Sequence, residues 1–141
     1  MILMDETAPL LQDRVAGRRL RVGVYVASEN RIVVERIFSP GANVTVGNDE
    51  RAELVVPTWV GPPLCVLSDG VNLHLGPGMR LIMCHDEGED RVDGTFDELT
   101  ASGMTFPLRI TVSKLNIKVR EGVSVFAQYV PEEQTKRVED A

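Results

Sequence analysis

Apolar and polar residues alternate with a period of two along most of this chain. Leu20, Val22, Val24 and Val26 interleave with Arg21, Gly23, Tyr25 and Ala27, the pattern of a strand with one buried face. After the turn Ser28-Glu29-Asn30 the alternation resumes over 31–38. Ile32, Val34 and Arg36 fall on one face there and Val33, Glu35 and Ile37 on the other, so both faces are expected to be partly covered. Ser39-Pro40-Gly41-Ala42 has the chemistry of a type II turn, because Pro fixes φ at its second place and Gly permits a positive φ at its third. Residues 43–57 form the central stretch. Val44 and Val46 alternate with Asn43 and Thr45, Gly47-Asn48-Asp49-Glu50 is loop chemistry, and Leu54-Val55-Val56 is a short strand closed by Pro57.

The pattern continues beyond Pro57. Thr58-Trp59-Val60-Gly61-Pro62-Pro63 places the only Trp in a Pro/Gly-rich loop. Residues 64–67 and 71–75 read as strands around the tight turn Ser68-Asp69-Gly70. Gly76-Pro77-Gly78 is a second turn, and 80–84 is a strand with Leu81 and Met83 inward. An acidic run over 86–93 follows. Thr95-Phe96-Asp97-Glu98 is a capping box that starts a short helix; Phe96 and Leu99 share one face of it, and Gly103 ends it. Residues 105–112, 115–120 and 123–130 read as strands, the last two joined by Glu121-Gly122.

About ten short strands with one helical insertion predict an all-β sandwich. The inward phase of the alternating segments gives its core: Val22, Val24, Val46, Leu54, Val56, Val66, Leu73, Leu81, Leu108, Ile110, Ile117, Val119 and Val125. Residues 20–131 make the domain. Residues 1–19 read as a flexible arm in which Leu10, Leu11 and Val15 have the spacing of one short helix, and 132–141 as a flexible charged tail.

Composition narrows the function. A length of 141 residues suits one domain with a proper core. No apolar run approaches the roughly 18 residues of a membrane span. Met1-Ile2-Leu3-Met4 is followed at once by Asp5 and Glu6, which does not read as a secretory signal. Two distant Cys point to a reducing cytoplasm. A net charge of −6 argues against nucleic acid. Arg18, Arg19 and Arg21 form a basic cluster, read either as a solvated strand start or as a patch for an acidic partner or anionic lipid.

Candidate chemistry is thin. Cys65, His74, Cys84 and His85 lack the paired spacing of a zinc site. The acidic run 86–93 has oxygen ligands around a Gly but not the full loop of a calcium hand. No nucleophile elbow and no phosphate-cradling Gly-rich loop occurs, so the reading is non-catalytic, without a cofactor.

The Val-Thr-Val-Gly strand at 44–47, the acidic loop and the Leu-Val-Val-Pro strand at 54–57 resemble the signature of forkhead-associated (FHA) domains. That resemblance implies a β-sandwich whose loops hold a phosphothreonine peptide. Several site features differ. Asn48 stands where an Arg is expected, the expected Ser and His fall at Gly61 and Leu64, and Gly76-Pro77-Gly78 replaces an Asn-Gly turn. With Asp49 and Glu50 in the same loop, phosphate binding there is not expected. Over its full domain the chain also resembles the N-terminal FHA-like domain of AgmX-type adventurous gliding-motility proteins. The residues are Leu-Arg-Val-Gly-Val-Tyr at 20–25, Val-Val-Glu-Arg at 33–36, Gly-Met at 78–79, Phe-Asp-Glu-Leu-Thr-Ala-Ser-Gly at 96–103 and Gly-Val-Ser-Val-Phe-Ala-Gln-Tyr-Val at 122–130. This implies a cytoplasmic domain of a bacterial envelope-associated motility complex.

The expected function is a protein-interaction module, monomeric or a small homo-oligomer, that docks another protein through Asn48, Asp49, Glu50, Arg51, Thr58 and Trp59. The alternative is a scaffold subunit that assembles through its sheet edges. For Trp59 two readings compete: the indole folds back to cap the sandwich, or it stays exposed as an anchor.

Overall fold

A computed structural model describes residues 18–84 and 91–130. The arm and its short helix, His85, most of the acidic run and the charged tail lie outside the described residues, as does the side chain of Cys84.

The chain forms β1 (Arg19–Val26), β2 (Arg31–Phe38), β3 (Val44–Gly47), β4 (Leu54–Val55), β5 (Leu64–Ser68), β6 (Asn72–Leu73), β7 (Arg80–Cys84), β8 (Arg91–Thr95), α1 (Phe96–Ala101), β9 (Leu108–Arg109), β10 (Lys114–Arg120) and β11 (Val123–Val130). These make two sheets, one ordered β2-β1-β11-β10-β7-β8 and the other β4-β3-β5-β6-β9. All pairings are antiparallel except β3 with β4. The all-β sandwich architecture expected from the alternation is what the structure shows.

The core lies between the sheets. Val22, Val24 and Val125 from the larger sheet and Val46, Leu54 and Val66 from the smaller one are all buried. Each such side chain contributes about 1.5–3 kcal/mol relative to exposure. Of the core expected from phase, Leu108 is only half-buried and packs against the rest. Tyr129 closes the core at the end opposite Trp59. Its hydroxyl donates to the Gly70 carbonyl at 2.7 Å, and burial pushes the phenol well above its ordinary pKa, so it keeps the proton it donates.

Four local expectations need correction. On β2, register slips beside Val24, and this bulge swings Ile32 onto the outer face with Glu35 and Ile37. β2 is an edge strand, and Ile32 and Ile37 stay exposed, so its faces are not both covered. The segment 105–112 is not one strand. Only Leu108–Arg109 pairs, since Pro107 just before has no N–H to give a ladder. Residues 71–75 pair only over Asn72–Leu73. Conversely, Arg91, Val92 and Asp93, at the end of the acidic run, belong to a strand, β8, over 91–95. Other turns match their chemistry. Asp69 and Gly70 both have positive φ, in the three-residue turn 69–71 that joins β5 to β6. Thr95 caps α1 with the reciprocal Glu98 bond, although Ser102 is the C-cap and Gly103 follows it.

Candidate functional site at the loop end

The connections β3–β4 (residues 48–53) and β4–β5 (residues 56–63) meet at Gly47. A Cβ there would lie 3.1 Å from the Ala52 Cβ and 3.3 Å from the Pro63 Cβ, so a side chain at this position would push both loops back by a few tenths of an ångström from the end of β3. The Gly47 carbonyl accepts from the Val56 N–H at 2.7 Å, which ties the second loop to the first strand.

The first loop is held by its own polar groups. Asp49 Oδ1 accepts from the Arg51 backbone N–H and Oδ2 from Arg51 Nη2, both at 2.9 Å. Ala52 N–H donates to the Asp49 carbonyl at 3.1 Å, and Glu53 N–H donates to Thr45 Oγ1 at 3.0 Å. The Arg51 side chain, and then its backbone N–H, hold the Asp49 carboxyl below the usual carboxylate range, while Asp49 raises Arg51. The Asp49–Arg51 charges are therefore satisfied within the loop. Asn48 and Glu50 remain exposed.

The second loop is held by one aromatic ring. Trp59 is 4% exposed and belongs to the core, so of its two readings the structure shows the buried one. Its Nε1 donates to the Pro62 carbonyl at 3.1 Å, which satisfies the indole N–H inside the loop. The Arg120 guanidinium lies over the ring, 3.9 Å from its centroid, and Arg120 Nη1 donates to the Val60 carbonyl at 2.6 Å. Arg120 thus clamps the loop from the end of β10. With Trp59 turned in, the next side chain turns out, and Val60 is 73% exposed. Thr58 is exposed beside it.

Of the site residues expected from sequence, the structure sets Asn48, Asp49, Glu50 and Arg51 on one loop and Thr58 on the other, all reaching the surface, and withdraws Trp59. Two contributors were missed. Val60 had a signal, because neighbouring residues in an extended loop face opposite ways and only one of Trp59 and Val60 can be buried. Arg120 had none, being 60 positions from the carbonyl it binds. Two of the other chemical candidates, His74 and Cys65, have local partners. His74 Nε2 lies 2.8 Å from Ser68 Oγ, and Cys65 Sγ donates to the Leu67 carbonyl while burial pushes its thiol pKa up. Among the described residues no three His, Cys, Asp or Glu gather as metal ligands, and no helix is long and apolar enough to cross a membrane.

Compared with protein-family models, curated proteins and solved structures, the chain matches none.

Proposed function

We propose that this chain is a non-catalytic protein-interaction module, a degenerate relative of FHA domains, that docks another protein through its loop end. The observation that carries this reading is Val60. An apolar side chain stands about three-quarters exposed on a loop fixed by Trp59, Arg120, Pro62 and Pro63. A loop ordered before binding loses little entropy on association, so its contacts convert efficiently into affinity. Asn48, Glu50 and Thr58 supply a polar rim. The resemblance to gliding-motility proteins supports a cytoplasmic, envelope-associated setting. Phosphothreonine is not the ligand, since the loop at Gly47 offers Asn48 and Glu50 to the solvent and uses Arg51 to neutralise Asp49.

The scaffold alternative is disfavoured by the sheet edges. β2 carries Arg31, Glu35 and Arg36 and a bulge, β8 carries Arg91 and Asp93, and β4 and β9 are two residues long. Charged, bulged or very short edges resist pairing with another chain. The test is capture of partners from an extract of the native cell on the immobilised chain, with Asn48→Lys/Glu50→Lys as the comparison and light scattering over a concentration series alongside. A partner lost in the double variant, with constant small mass, supports the module. Growth into large species, or phosphothreonine peptides bound in preference to unphosphorylated controls, overturns it.

A further inference from the structure

The outer face of the six-stranded sheet is a separate surface, and its composition differs from that of the whole chain. By register, the side chains of Arg21, Lys114, Lys118, Arg80 and Arg91 point outward, against the two carboxylates of Glu35 and Asp93. With Arg19, which the same register turns outward, the described residues put six cations against two anions on this face, on a chain whose net charge is −6. Both carboxylates are already engaged: Glu35 with Arg21 at 2.6 Å, and Asp93 with Arg80 at 2.7 Å and Arg91 at 3.1 Å. Lys118 reaches only Glu121, at 3.6 Å, and Glu121 is itself almost fully exposed. Lys114 has no ion pair among the described residues. The cation surplus therefore faces solvent.

The same face carries a groove. The Phe126 ring lies over Gly23, where a Cβ would come within 2.3 Å of its Cζ, so glycine lets the ring lie down across β1. Beside it a concavity of about 330 Å³ opens between β11, β10 and β7, lined by Phe126, Ile82, Asn116, Gln128 and Lys114. Ile32 and Ile37 extend the apolar surface toward the β2 edge. An apolar groove with an ammonium group at its side that has no ion pair among the described residues suits a polypeptide, whose side chain can enter while its carboxylates meet the lysines. Nucleic acid offers no such apolar side chain to enter the groove. A bilayer cannot enter a groove one side chain wide, and the surplus cations are too few to hold so acidic a protein on anionic lipid.

We propose that this face is a second docking surface, for an acidic peptide segment whose large apolar side chain fills the groove beside Phe126 and whose carboxylates lie on Lys114 and Lys118. The test is fluorescence anisotropy with a labelled peptide in which Glu alternates with Leu and Phe. The same peptide with Lys for Glu, phosphatidylserine vesicles and duplex DNA are the comparison ligands. The acidic peptide should bind, and its affinity should fall as NaCl is raised. It should weaken by roughly tenfold or more in Lys114→Glu/Lys118→Glu and stay unchanged in Arg109→Glu, which lies on the other sheet. Thermal melts of both variants verify folding, since all three positions are exposed. Absence of binding, equal binding of the Lys peptide, indifference to the Lys114/Lys118 change, or tighter binding of vesicles or DNA would overturn the proposal. Because none of these residues belongs to the loop end, failure here leaves the reading of that site intact.

Discussion

In the six-stranded sheet β1, β2 and β11 each run eight residues, whereas the strands of the five-stranded sheet span two to five. The first sheet is held by long ladders, two of them with a single bulge, and by packing along one face. The second is held by point contacts: Asp49 with Arg51, Glu53 with Thr45, Trp59 with Pro62 and with Arg120. The difference separates two tasks. The long strands make a rigid frame whose outer face is broad and charged. The short strands serve mainly to fix where connections begin, and the connections carry the exposed residues.

Charge placed on the shared core should break both sheets at once. Val46→Asp or Val119→Asp should unfold the domain or cost on the order of 4 kcal/mol or more, read by thermal melting, because each side chain is buried and no charged residue is buried with it among the described residues. Trp59→Ala should come next, at about 3–5 kcal/mol, from the lost ring volume and the unstacked Arg120. A melting temperature lowered by roughly 10 °C or more would place the brace of the small-sheet loops in the core of the domain. A near-normal melt would show that those loops are independent of it.

Gly23→Ala perturbs only the large sheet. Its Cβ would collide with Phe126, costing about 1–3 kcal/mol as the ring is displaced. Gly23→Ala/Phe126→Ala should recover part of that loss, which would confirm that the ring and not the backbone is the obstacle.

The smallest effect lies at the cap of α1. Thr95→Ala should cost about 1 kcal/mol. Glu98 accepts from the Thr95 backbone N–H, which holds its carboxyl below the ordinary Glu range. A depressed carboxylate contributes stability above its unfolded pKa and loses it as pH falls through the folded one. The difference in melting temperature between the wild type and Glu98→Ala should therefore be full at neutral pH and shrink once pH drops below the ordinary Glu range.

The same contrast decides what could be read from sequence. Where strands are long, period two fixes phase, and Val22, Val24, Ile117 and Val125 were legible as core. Local chemistry was equally legible: the Asp69-Gly70 hairpin and the Thr95 box depend on residues within a few positions of one another. What period two cannot report is register. The bulge on β2 moved Ile32 to the other face without any change of pattern. Two-residue strands such as β4 and β9 carry too few positions to show a period, and Pro107 shortened an apparently strand-like segment. At the site, Asp49 and Arg51 were legible as loop residues, but the Arg120 clamp joins positions far apart in the chain and leaves no trace in either segment.

The loop end sets a buried brace, Trp59, beside an exposed side chain, Val60. The most direct measurement of this division is the affinity of the recovered partner for Val60→Asp, set beside that variant's melting curve. The account predicts a melt within about 0.5 kcal/mol of wild type, as for surface substitutions, and binding weakened by roughly tenfold or more. Wild-type affinity in a folded Val60→Asp variant would contradict it.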